Sequence, residues 1–340
     1  MNLPRWRAGT LRDPSPKVPK LRSLPPPTLS TNRFTPRQRV RRENGLLKTG
    51  TGRIDPAPVT GFQRYIGIDY SGAGSASQGL PGVRVYEANR DRSPREVSPV
   101  SGSRRHWTRQ GLALWLTETL QKESPCVVGM DHGFSFPIRY FEMHRIPADW
   151  SRFLEDFHRH WPTDHDGVRV DDVRRGRIGH GNARGGNSRW RRRTEERCGA
   201  KSVFHFDVPG SVAKSTHAGL PCLRFLRQAL GIRLHFWPFD GWQPTPGRSV
   251  LAEAYPSLYN AAYPVQDRNP DQHDAYSIAR WLQESDSDGT LKRGFQPTLD
   301  PEERAIAAVE GWILGLPGTA LPGQRSPHRL EALHATSKTL

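Results

Sequence analysis

Two short apolar runs in this chain each end on an aspartate that opens a loop. The first reads Tyr65-Ile66-Gly67-Ile68-Asp69-Tyr70-Ser71-Gly72, and the second Cys126-Val127-Val128-Gly129-Met130-Asp131-His132-Gly133. An ionised carboxylate is costly away from water unless it is paired or bound to a cation, so an acid closing a buried strand has little to offer packing. Two such strands side by side put two carboxylates at one edge of a sheet, the arrangement from which divalent-metal sites are built.

Two further segments add acids of the same kind. Ser249-Val250-Leu251-Ala252-Glu253-Ala254-Tyr255-Pro256 reads as an apolar strand with Glu253 near its end. Asp271-Gln272-His273-Asp274-Ala275-Tyr276-Ser277-Ile278-Ala279 opens a helix whose small residues let it lie close against a sheet. Asp271 and Asp274, three apart, share its first turns, although acids there also serve as caps and dipole partners. Asp69, Asp131, Glu253 and Asp274 together form a donor set suited to Mg²⁺ or Mn²⁺ and a phosphodiester. His273 is a further candidate beside them.

Charge favours the same chemistry. The 340 residues carry 50 Lys+Arg against 34 Asp+Glu, a formal +16, which suits a polyanion such as DNA or RNA through counterion release. Arginine concentrates in the glycine-interleaved stretch 162–200. Arg174, Arg175, Arg184, Arg189, Arg191, Arg192 and Arg193 are expected to grip phosphates there, with Trp190 stacking on a base. The stretch reads as a flexible loop inserted over the site, and a plain solvated insertion fits its composition equally well. Cys198, His205, His217 and Cys222 mix metal-ligand types, but their spacings match no zinc module.

The elements that must position these residues follow from periodicity. Strands are expected near 63–69, 82–88, 96–100, 126–131, 232–237 and 249–256. Helices are expected near 107–121, 149–160, 219–230, 271–284 and 301–314. Their order implies an α/β fold with a mixed sheet and helices on both faces. Residues 1–60 hold thirteen Lys+Arg, three acids and ten prolines. They read as a disordered basic extension, followed by one domain over 61–317 and a flexible tail over 318–340. Three scattered cysteines point to a reducing, cytoplasmic compartment. No apolar run reaches the roughly 20 residues of a membrane span.

In order and spacing, Gly67-Ile68-Asp69, Gly129-Met130-Asp131, Glu253-Ala254-Tyr255-Pro256, His273-Asp274-Ala275 and Glu310-Gly311-Trp312-Ile313 resemble the family called domain of unknown function 429, over roughly 62–316. That family looks like a set of metal-dependent nucleases in the ribonuclease H-like fold. The resemblance implies a five-stranded mixed sheet with acids on the first strand, a central strand and a late helix. It carries Asp69, Asp131, Glu253 and Asp274 into a metal site for phosphodiester hydrolysis, with Glu310 beside them. Asp271 with Asp274 also looks like the paired acids on the last helix of RuvC-type resolvases. Ribonuclease H itself has a glutamate on its first helix, where this chain offers only Glu118 and Glu123 in no matching register. Two other expectations stay open: a non-catalytic nucleic-acid-binding module, and a phosphotransferase of the actin-like superfold. The second would use Gly72-Ala73-Gly74-Ser75 as a phosphate loop, although the Gly-Lys-Ser/Thr ending is missing.

Overall fold

In the computed structural model, residues 61–99, 105–122 and 124–318 are described. The basic extension 1–60 and nearly all of the tail 318–340 lie outside them. Nine helices and six strands alternate unevenly along the described chain. Strands β1 (Arg64–Asp69), β2 (Arg84–Asn89) and β3 (Arg92–Glu96) come first, then helix α1 (Arg109–Leu120) and strand β4 (Cys126–Asp131). Five helices follow: α2 (Ile138–His144), α3 (Trp150–His160), α4 (Val170–Arg174), α5 (Arg193–Cys198) and α6 (Ala213–Leu230). Strands β5 (Leu234–Trp237) and β6 (Ser249–Glu253) precede helices α7 (Pro270–Ser287), α8 (Thr290–Gly294) and α9 (Pro301–Glu310).

The strands form one mixed sheet in the order β3-β2-β1-β4-β6-β5. Strand β2 runs antiparallel to both β1 and β3, whereas β1, β4, β6 and β5 are parallel neighbours. Six strands therefore stand where five were expected. The count of five came from the family resemblance, whereas the periodicity reading already expected the short edge strand β5 near 232–237, and its Leu-His-Phe-Trp run is buried throughout.

Alternation along the central strands divides the core into two layers. Ile66, Ile68, Val128, Met130 and Leu251 belong to the larger layer, with α1, α3 and α6. Tyr65, Val127, Val250, Ala252 and Ala254 belong to the other, with Ile278 and Leu282 of α7. Gly67 and Gly129 let α7 lie directly on the sheet. A Cβ on Gly67 would fall well inside contact with the Ala275 carbonyl oxygen and 2.6 Å from the Ala279 nitrogen. One on Gly129 would lie 2.5 Å from Ile278 Cγ2. The small residues of α7 thus meet glycines on the strands, and this close approach fixes where the N-terminal end of the helix sits. Asn269 caps that end, accepting from Gln272 N–H at 2.9 Å, with Pro270 at the first helical position.

The stretch 162–200 is built differently from the flexible loop its composition suggests. It contains α4, a 3₁₀ turn at Gly181–Arg184 and α5. Ion pairs tie it to the body: Arg184 bonds Asp156 of α3 through two nitrogens at 3.0 Å each, and Arg174 bonds Asp207 through two at 2.7 and 2.6 Å. Val170, Val173 and Gly181 are buried beneath it. Among the described residues, no helix is long and apolar enough to cross a membrane.

Candidate metal centre at the strand ends

Register decides which of the expected acids meet. Asp69 and Asp131 are Cα partners on the adjacent parallel strands β1 and β4. Each lies two residues beyond a glycine that touches α7, so both project from the face that α7 covers. Asp271 and Asp274, in the first turns of α7, come to the same edge, and both add to the negative potential at Asp69. Asp274 is held by Asn260, whose Nδ2 donates to its Oδ1 at 2.9 Å. A Cβ placed on Gly82 would stand 3.6 Å from Asp271 Oδ2, so that carboxylate lies against the loop following β1.

No Lys, Arg or His among the described residues forms an ion pair with Asp69, Asp131, Asp271 or Asp274. Burial first, and then the facing carboxylates, hold both Asp69 and Asp131 well above the usual carboxylate range. Burial raises Asp274 as well. Each strand-end carboxyl is thus costly to ionise, a cost that a bound cation would offset. The donors are all oxygens, which suits a hard divalent ion such as Mg²⁺ or Mn²⁺.

Glu253 does not share this face. Its Cα partner on β4 is Met130, one residue short of Asp131, so its side chain enters the opposite layer. There Arg192 grips it with Nη2 to Oε1 and Nη1 to Oε2, both at 2.6 Å, and Phe134 N–H donates to Oε2 at 3.1 Å. Arg192 also bonds Glu195 through Nε at 2.8 Å. Burial disfavours the guanidinium charge, but the two glutamates outweigh it and hold Arg192 charged. Arg192, expected on a phosphate-gripping surface, is 1% exposed and holds the interior together instead.

The other expected residues fall into place around these two layers. Glu310 is buried and accepts from Ile138 N–H at 2.6 Å and Arg193 N–H at 2.7 Å, with burial raising its carboxyl to about 6. His273 is buried in α7, its Nε2 3.1 Å from the Asn260 carbonyl. His132 is buried edge-on to Tyr70, and burial lowers it to about 4. Trp190 is partly buried, edge-on to Phe204 and capped by Arg139 at 5.3 Å. Arg174 and Arg193 remain accessible but paired, to Asp207 and Glu196. Arg175, Arg189 and Arg191 are exposed. The carbonyls of Ser71, Ala73 and Gly74 accept from the buried Arg109 guanidinium at 3.2, 2.7 and 3.2 Å, so the Gly72–Ser75 loop is braced from within.

One group escaped the sequence reading. His158, Asp164 and His165 bring three ligand atoms within 4.8 Å of one another, with His158 Nε2 3.0 Å from Asp164 Oδ2. Among the described residues this is the only trio that close, so no three of the strand-end acids bring their oxygens within that distance of one another. The His-x₅-Asp-His spacing was the available signal. Comparison with protein-family models, with curated proteins and with solved structures finds no match to this chain.

Proposed function

We propose that the protein is a divalent-metal-dependent nuclease that hydrolyses phosphodiester bonds of nucleic acid on a ribonuclease H-like fold. The observation that carries this reading is the register pairing of Asp69 with Asp131, without a paired cation among the described residues, under the acid-bearing end of α7. A mixed sheet with acids on its first strand, a central strand and a late helix supports the fold assignment. The formal charge of +16 supports a polyanionic substrate.

Asp69 and Asp131 hold the Mg²⁺ or Mn²⁺, and Asp274, steadied by Asn260, completes the acidic edge with Asp271. A bound divalent ion supplies a lowered pKa for the attacking water and charge stabilisation for the leaving 3′-oxygen. The two strand-end carboxylates must be ionised for this, and the cation is what makes both charges tolerable together. Packing of α7 on Gly67 and Gly129 keeps the helix acids in register with the strand acids. Glu253 contributes negative potential at Asp131 and is otherwise committed to Arg192.

The test is cleavage of single- and double-stranded DNA and RNA, an RNA–DNA hybrid and branched DNA with Mg²⁺ or Mn²⁺, beside Asp69→Asn. Cleavage by the wild type that the variant loses is the expected outcome. Absence of cleavage across the panel, with salt-sensitive binding equal in both proteins, would favour a non-catalytic binding module.

A further inference from the structure

Away from the strand-end acids, α2, α3, the 3₁₀ turn at Gly181–Arg184 and α6 enclose a cavity of about 420 Å³. Six arginines line it: Arg145, Arg152, Arg159, Arg184, Arg224 and Arg227. Three are neutralised. Arg184 bonds Asp156, Arg224 meets Glu155 at 2.9 Å, and Arg227 meets Asp240 at 2.9 Å. The two acids in the cavity wall, Asp156 and Glu155, are therefore already spent. Arg145, Arg152 and Arg159 have no side-chain partner among the described residues.

Three exposed, unpaired guanidiniums thus line one concavity without contributing an ion pair to the fold. A concave wall of one sign of charge instead concentrates counter-anions. Guanidinium forks match phosphate oxygens in pairs. Arg152 and Arg159 lie seven residues apart on α3, about 10.5 Å along the axis, which is the axial reach of about three phosphates on one strand. These are not the arginines of 162–200 that composition singles out, several of which are consumed by internal ion pairs.

We propose that this cavity is a phosphate-binding subsite that takes the phosphodiester backbone of a nucleic-acid strand, with Arg145, Arg152 and Arg159 as its contacts. The inference rests on the nucleic-acid reading above, and its test is independent of turnover. Binding of labelled single-stranded and duplex oligonucleotides is followed by fluorescence anisotropy across a KCl series, in full-length protein carrying Asp69→Asn. Into that background go a triple Arg145→Ala, Arg152→Ala, Arg159→Ala variant and a charge-matched control at three exposed arginines elsewhere on the surface, Arg95→Ala, Arg233→Ala, Arg293→Ala. Losing three contacts should lower the slope of log K against log salt by about 2 for single strands and about 2.7 for duplex. The control should keep a slope near the parent's. A triple Lys variant at 145, 152 and 159 should keep most of the slope, since the charge remains.

Equal losses in both Ala triples would overturn the subsite and leave a diffuse basic surface. Pyrophosphate binding that depends on the three arginines, with strand binding unchanged in the triple, would overturn the strand assignment in favour of a small phosphate compound. Failure of cleavage by the wild type would sink the nuclease without touching these slopes.

Discussion

Asp69 and Asp131 stand as register partners at the ends of two parallel strands, and no cationic side chain among the described residues is paired with either. Interior acids elsewhere in the chain are compensated: Glu253 and Glu195 by Arg192, Glu310 by two backbone N–H groups. The contrast sets the strand-end pair apart from the other interior acids and is the ground on which a cation site is proposed there.

Stability of the metal-free protein should therefore depend on pH in a characteristic direction. Both carboxyls titrate higher in the folded chain than in the unfolded one, so the folded state binds more protons between about pH 4 and the raised native values, which lie above neutrality. Stability falls as pH rises through that window. Asp69→Asn replaces a carboxyl that must take up a proton on folding with a neutral amide, and one pKa unit is worth about 1.4 kcal/mol. The variant should gain at least about 1 kcal/mol at pH 7 in EDTA, read by urea denaturation, and should flatten the decline. A variant no more stable than the wild type there would mean that the fold does not hold the Asp69 carboxyl above its ordinary range.

Arg192 should behave as a buried keystone. Arg192→Met leaves Glu253 and Glu195 uncompensated in the interior, which costs about 3–5 kcal/mol. Chemical denaturation measures this directly. Normal stability combined with weakened nucleic-acid binding would restore Arg192 to the surface role its sequence neighbourhood suggested.

The seat of α7 is equally specific. Gly67→Ala drives a methyl into the backbone of Ala275 and Ala279, and overpacking of this kind costs about 1–3 kcal/mol. Displacement of α7 also carries Asp271 and Asp274 away from the strand ends, so divalent-ion affinity should fall with stability. Gly67→Ala with unchanged stability and affinity would show that helix and strand are not held as closely as described.

Much of this architecture was legible before any coordinates. Asp69 and Asp131 close apolar runs too short and too β-branched or glycine-bearing for helices, and the Ala-Ser-Ala pattern of α7 announces a helix pressed on a sheet. What the residues could not disclose is pairing across long separations. Whether Glu253 faces Asp131 or turns away depends on a one-residue register between β4 and β6, and such a slip reverses every side chain. Its arginine partner lies 61 residues back in a stretch that reads as flexible. That stretch holds helices of five and six residues fixed by ion pairs, which leave little hydrophobic periodicity to detect. Strand β3 falls at 92–96, ahead of its expected place, because its Arg-Ser-Pro-Arg-Glu run is polar and pairs only along one edge.

The most direct measurement of the strand-end centre is Mn²⁺ binding by calorimetry to the wild type and to Asp69→Asn, Asp131→Asn and Glu253→Gln. A metal held by the Asp69–Asp131 pair predicts saturable binding in the wild type, a loss of tenfold or more in each aspartate variant, and retention in folded Glu253→Gln. Unchanged affinity in both aspartate variants would contradict a metal centre at these strand ends.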